Sequence, residues 1–113
     1  MLARTVPIAD HVAAYAARLV RATLPEHSSV DEVRELVRFG ASPRAVQSLV
    51  QTAKVRALLD GRYNVAFEDI AAMAAPVLRH RILLGFSAEA AGVTSDGIIE
   101  RVLHAVDPDP LVR

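Results

Sequence analysis

The stretch from Ser42 to Gly61 carries a helix start at one end and a helix stop at the other, and this punctuation limits the fold more than any other feature of the sequence. Ser42 stands where an N-cap is wanted, Pro43 follows at the first helical position, where its missing N–H costs nothing, and Gly61 lies just past the end. The spacing predicts a helix from about Pro43 to Asp60. At about 100° per residue, Val46, Leu49, Val50, Ala53 and Ala57 share one face and form a core stripe. Arg44 projects nearly opposite the centre of that stripe, on the side shared with Ser48, Gln51 and Val55. A helix of this length with one apolar face needs other helices to cover it.

The rest of the sequence supplies them. Between residues 8 and 22, Ile8, Val12, Tyr15, Ala16, Leu19 and Val20 recur at helical spacing opposite Asp10, Arg18 and Arg21, and the run from Thr23 to Glu26 stops that helix. Ser29 or Asp31 starts a short helix that carries Val33, Leu36 and Val37 inward and ends near Gly40. Past Gly61, a turn through Arg62 to Val65 leads to a helix beginning near Phe67. Glu68 and Asp69 suit the positive end of its dipole, and Ile70, Met73 and Ala74 face inward. Pro76 is expected to break or kink it before Val77, Leu78 and Ile82 resume the apolar pattern. Residues 83 to 93 are the least patterned. Thr94 caps a last helix containing Ile98, Ile99, Val102, Leu103 and Val106, closed by Asp107, Pro108, Asp109 and Pro110. Hydrophobic residues make up 52% of the chain but aromatic ones only 4%, so Ala, Val, Leu and Ile must build the core, which suits close-packed helices. The fold class read from these patterns is all-α, a single small helical bundle of five or six helices with no substantial sheet, and 113 residues are enough for one such core.

Several kinds of chemistry are excluded. With no cysteine, the chain has neither disulfides, thiolate metal sites nor a cysteine nucleophile, which fits a reducing compartment and makes the cytoplasm the expected location. No apolar run approaches the roughly 20 residues of a membrane span, and the first residues lack a signal-peptide core. The formal net charge of zero argues against a dedicated nucleic-acid binder. Charge is nevertheless uneven: residues 36 to 88 hold seven Lys and Arg against three Asp and Glu, and no acid lies between Glu35 and Asp60. A phosphate-binding loop needs Gly-Lys followed by Ser or Thr, but the one lysine, Lys54, follows Ala53, so the chain is not a complete ATPase. Histidines 11, 27, 80 and 104 show no metal-ligand spacing, and Gly85-Phe86-Ser87-Ala88-Glu89 has Glu89 where a nucleophile elbow requires glycine.

Arg44 is the residue out of place. In the first turn of its helix a cation faces the positive end of the dipole, unfavourable by roughly 0.3 to 1 kcal/mol. The placement becomes favourable when an anion occupies the space ahead of the helix, because N–H groups, dipole and a bidentate guanidinium then converge on it, and phosphate is the obvious candidate. The alternatives are a bridge to Glu35 or another carboxylate, or a side chain pointing into water.

Gly40-Ala41-Ser42-Pro43-Arg44-Ala45 resembles the sensor-2 motif of MoxR-family AAA+ ATPases. Ala53-Lys54, Ala57-Leu58-Leu59, Gly61-Arg62, Val65, Glu68-Asp69-Ile70 and Val77-Leu78-Arg79-His80-Arg81-Ile82 are similar to the same family's C-terminal region in order and spacing, so the resemblance covers about residues 5 to 106. It implies an AAA+ lid over residues 8–106, with 1–7 a linker from a missing ATPase core and 107–113 a tail, the chain being either a domain excised from a longer protein, the favoured option, or the product of a truncated gene. It implies a site of Ser42, Pro43 and Arg44, with Arg44 the catalytic sensor-2 arginine approaching the γ-phosphate of ATP and Mg²⁺ held mainly by the core. The implied partners are the ATPase core of the same protein, further copies in a ring that is usually a hexamer, and a protein with a von Willebrand factor A domain. Arg79 and Arg81 fall in a family motif without assigned contacts, and packing or an intersubunit ion pair stands beside nucleotide contact for them. Ala66 and Phe67 replace the family's usual Thr-Pro, which removes a side-chain cap worth about 1 kcal/mol. A histone-fold-like protein- or DNA-interaction module is the alternative reading, suggested by the long helix, Gly61-Arg62, Val65 and Asp69-Ile70.

Overall fold

The computed structural model describes residues 6–108, so most of the expected linker and the last residues of the expected tail lie outside the described residues. Six helices and one strand pair make up the described chain: α1 (Asp10–Arg21), α2 (Asp31–Leu36), β1 (Val37–Phe39), α3 (Arg44–Leu59), α4 (Phe67–Leu78), β2 (Leu83–Leu84), α5 (Phe86–Ala90) and α6 (Ser95–Ala105). The helical bundle is the one expected, with six helices. Its two short strands do not change the class, since they pair only with each other, antiparallel, with Val37 opposite Leu84 and Phe39 opposite Leu83.

α3 and α4 form the principal helix pair, and α1 crosses both. Their interface is lined with small side chains: Ala16 of α1, Ala45, Ala53 and Ala57 of α3 and Ala74 of α4 are all buried, so the helix backbones approach closely. Larger side chains fill the remaining space, with Tyr15, Leu19, Leu49, Ile70, Leu78, Ile98 and Ile99 fully buried. The buried stripe of α3 is Ala45, Leu49, Ala53 and Ala57, while Val46 and Val50, expected at its centre, are only partly buried beside it. The stripe is therefore rotated slightly from the expected one, and the Arg44 face remains outward.

Three local expectations are corrected. α2 does not run to Gly40: it ends at Leu36, and Val37 turns inward as the first residue of β1. Short β-branched and aromatic residues ahead of a glycine satisfy their backbone by pairing with the unpatterned stretch after Ile82, closed by the Gly85 N–H donating to the Leu36 carbonyl at 2.8 Å. Pro76 does not break the helix, because α4 continues through it and ends two residues later at Leu78, so little regular helix remains to be disrupted. Ser42 provides no side-chain cap; the first turn of α3 is closed by backbone, with the Ala45 N–H donating to the Ser42 carbonyl at 2.9 Å.

Other signals stand. Gly61 has φ +75°, which an L side chain rarely adopts, and this turn lets the Arg62 N–H donate to the Ala57 carbonyl at 2.9 Å. The Thr94 hydroxyl accepts from the Gly97 N–H at 3.1 Å, capping α6 as its position suggested. At the other end Val6 is buried and the Pro7 carbonyl accepts from Val65, so these two residues of the expected linker pack on the bundle.

Candidate functional site

Arg44 is the first residue of α3, the longest helix, and its side chain is exposed. Five other arginines end on carboxylates: Arg34 on Asp31, Arg56 and Arg62 on Asp69, Arg79 on Asp96, and Arg101 on Glu32. Arg44 has no such partner among the described residues. The bridge to Glu35 that the sequence left open is not formed among them, and the first turn of α3 contains no acidic residue. The guanidinium is thus an exposed cation beside the positive end of a helix dipole, an arrangement that becomes favourable when an anion is brought to it. Ser42 and Pro43, the other two expected site residues, are also exposed and lie immediately ahead of it, with Pro43 at φ −55° starting the turn.

The loop that delivers Arg44 is held from behind. Gly40 lies against the end of α1 so closely that a Cβ there would stand 2.2 Å from the Thr23 carbonyl oxygen and 2.9 Å from the Leu24 Cα, so no other residue fits without moving backbone. Thr23 itself is buried, and its hydroxyl accepts from the Ala41 N–H at 3.0 Å. Ala41 is buried as well. The sequence reading took Thr23 only as part of a helix stop. Its hydroxyl sits beside a buried loop amide eighteen positions away, a relation that no local pattern encodes.

At the opposite end of α3 lies an ion cluster that sequence reasoning also missed. Asp69, read only as a favourable charge near a helix start, is completely buried. It accepts from Arg62 on both oxygens at 2.6 and 2.7 Å, from Arg56 at 2.6 Å and from the Ala66 N–H at 2.8 Å. The Arg62 hydrogen bonds hold its carboxyl well below the usual carboxylate range, overcoming the opposing effect of burial, with Ala66 and Arg56 adding to the shift. Arg62 also donates to Asp60 at 2.9 Å, and its hydrogen bonds to Asp69 first and Asp60 second push its guanidinium further up. The side-chain cap is absent as expected, since Ala66 has no acceptor for the first helical amides; Asp69 supplies the reciprocal half of a capping box by accepting from the Ala66 N–H, and α4 starts at Phe67. An aspartate at the third position of a helix without a Ser or Thr cap was the available signal.

Arg79 and Arg81 find partners inside the chain. Arg79 makes a two-pronged pair with Asp96 at 3.0 and 3.1 Å, tying the end of α4 to α6, and Arg81 donates to the Val77 carbonyl. His80 is exposed. Arg81 also borders an open depression of about 640 Å³ between α3 and α4, lined with Gln47, Ser48, Gln51 and Thr52, on the side of α3 that Arg44 occupies. Among the described residues no group of three or more His, Asp or Glu is placed to hold a metal ion, and no helix is long and apolar enough to cross a membrane. Exposed apolar side chains gather elsewhere: Phe39 (59% exposed) and Leu83 (53%) face each other across the strand pair, and Phe86 (83%) opens α5 just beyond.

Comparison with known proteins finds similar sequences and a similar solved structure. The family described as AAA lid domain matches residues 31–102. The chain is 39% identical over 93 residues to the protein named Chaperone MoxR1 of Mycobacterium tuberculosis, covering 81% of this chain and 25% of that protein. It is 45% identical over 53 residues to Protein MoxR of Paracoccus denitrificans, covering 47% of this chain and 16% of that one. The crystal structure of a candidate ATPase from Cytophaga hutchinsonii superposes with a TM-score of 0.88 at 34% identity, covering 94% of this chain and 32% of that one. The chain spans a third or less of the length of each of these relatives.

Proposed function

The chain belongs to the AAA lid domain family, in its MoxR branch, and we propose on that premise that it closes over the nucleotide of an ATPase core in the same protein, with Arg44 as the sensor-2 arginine that meets the γ-phosphate. The observation that carries this reading is the state of Arg44: exposed, first in its helix, and without a carboxylate partner among the described residues. Arginine suits the role because its planar fork can meet two phosphate oxygens at once. Ser42 and Pro43 shape the approach, and the amide end of α3 adds to the field an arriving phosphate would feel.

ATP fits what this chain presents, which is one cation and one helix start. The rest of the nucleotide and its Mg²⁺ would be held by the core, and Mg²⁺ supplies charge neutralisation on the phosphates there. The exposed apolar residues Phe39 and Leu83, on the strand pair whose first strand leads into the Arg44 loop, and Phe86 at the start of α5 suit contact with that core. A ring of such subunits, action on client complexes with a von Willebrand factor A domain partner, and a cytoplasmic setting complete the reading. The histone-fold-like alternative drew on α3, its following loop and α4, a segment that falls within the matched family region.

Removing the lid tests the assignment. The chain alone should release no phosphate from ATP above buffer, and the core without it should lose at least about 10³-fold in turnover, because Arg44 is then absent with the rest of the lid. Sustained turnover by the core lacking residues 8–106 would overturn the proposal.

A further inference from the structure

Arg44 has nothing within the described chain to orient its side chain, so its aim depends on where the backbone puts it. That backbone is fixed step by step. Phe39 is paired with Leu83, Gly40 rests on the Thr23 carbonyl, Ala41 is bonded to the Thr23 hydroxyl, and Pro43 opens the helical turn. Two of these four constraints come from a single residue at the end of α1.

Thr23 is 0% exposed. Its hydroxyl donates to the Val20 carbonyl at 2.6 Å, which orients the hydrogen and leaves a lone pair for the Ala41 N–H at 3.0 Å. The first bond is a common device at helix ends. The second reaches across eighteen positions to a buried amide three residues ahead of Arg44. Without the hydroxyl that amide is left buried and unpaired, and the loop must shift to satisfy it.

We propose that Thr23 is a positioning residue for Arg44, acting through the Ala41 amide to set the direction in which α3 presents the guanidinium to the nucleotide. This rests on the reading of Arg44 given above. Thr23 makes no contact with nucleotide and carries no chemistry of its own.

The test is ATP turnover by the full-length ATPase carrying this lid, measured for Thr23→Val, Thr23→Ser, Arg44→Ala and the Thr23→Val, Arg44→Ala double variant. Valine preserves shape and removes the hydroxyl; serine keeps it. Misplacing a phosphate-contacting group by about 1 Å can cost about 10²-fold, so Thr23→Val should lower kcat by about tenfold or more with a much smaller change in KM. Thr23→Ser should recover most of the rate, and the double variant should be no slower than Arg44→Ala alone. A normal rate for Thr23→Val, or a further loss of the same size in the double variant, overturns the positioning role while leaving Arg44 in place. Absence of any effect from Arg44→Ala overturns the reading of the site itself. Should Thr23→Val fail to fold, exchange of the Ala41 amide in the wild-type protein decides: slow exchange supports the bond, and exchange as fast as an open loop contradicts the proposal.

Discussion

Arg44→Ala should lower ATP turnover by the full-length ATPase by about 10³-fold, the lower end of what arginines acting on transferring phosphoryl groups contribute, while leaving the fold intact. The two effects separate because the side chain is exposed and has no partner among the described residues. Exposed substitutions of this kind usually change stability by less than about 0.5 kcal/mol. Removing a cation from the positive end of α3 relieves a small repulsion, so the melting temperature should stay level or rise slightly. The loss should fall mainly on kcat, because the charge that needs stabilising grows in the transition state. Arg44→Lys should lie between the two, keeping the charge without the fork. A change below about twofold for Arg44→Ala would count heavily against the assignment.

Asp69→Ala should do the reverse, damaging stability first. It removes one buried carboxylate, strands the Ala66 N–H, takes from Arg56 its carboxylate and leaves Arg62 with Asp60 alone. Breaking a buried pair costs about 3 to 5 kcal/mol; both arginine side chains remain partly solvated, at 38% and 31% exposure, so the lower end applies, about 3 kcal/mol. For a domain of this size that is a fall of about 10 °C in melting temperature, measurable by circular dichroism. Asp69→Asn should cost less, since its amide oxygen still accepts from Ala66. The pH dependence has a definite sign. The folded carboxyl titrates well below its unfolded value of about 3.9, so its contribution is complete above that pH and is lost as pH falls below it toward the folded value. The wild-type melting temperature should therefore drop below about pH 4, and the Asp69→Ala curve should be flatter there. Parallel curves would show that the cluster is not the source.

These two residues also show what was legible in the sequence. Helix existence was readable because apolar spacing is local: α1, α3, α4 and α6 appear where periodicity puts them, and Gly61 and Thr94 mark ends by their own backbone and side-chain chemistry. Arg44 stood out for the same reason, as a charge on the wrong end of a dipole. Partners distant along the chain were not readable. Thr23 meets Ala41, Asp69 meets Arg56 and Arg62, and Val37 to Phe39 meets Leu83 and Leu84 only once the helices have packed. Expected local chemistry also gave way where another group did the work, since backbone closes the turn that Ser42 was expected to cap.

The most direct measurement is a crystal structure of the full-length ATPase with a non-hydrolysable ATP analogue. The account predicts the Arg44 guanidinium at hydrogen-bond distance, about 2.7 to 3.2 Å, from γ-phosphate oxygens, with the loop from Gly40 to Pro43 held as it is here. A closed, nucleotide-filled site in which Arg44 points to solvent or pairs with a carboxylate such as Glu35 would contradict it.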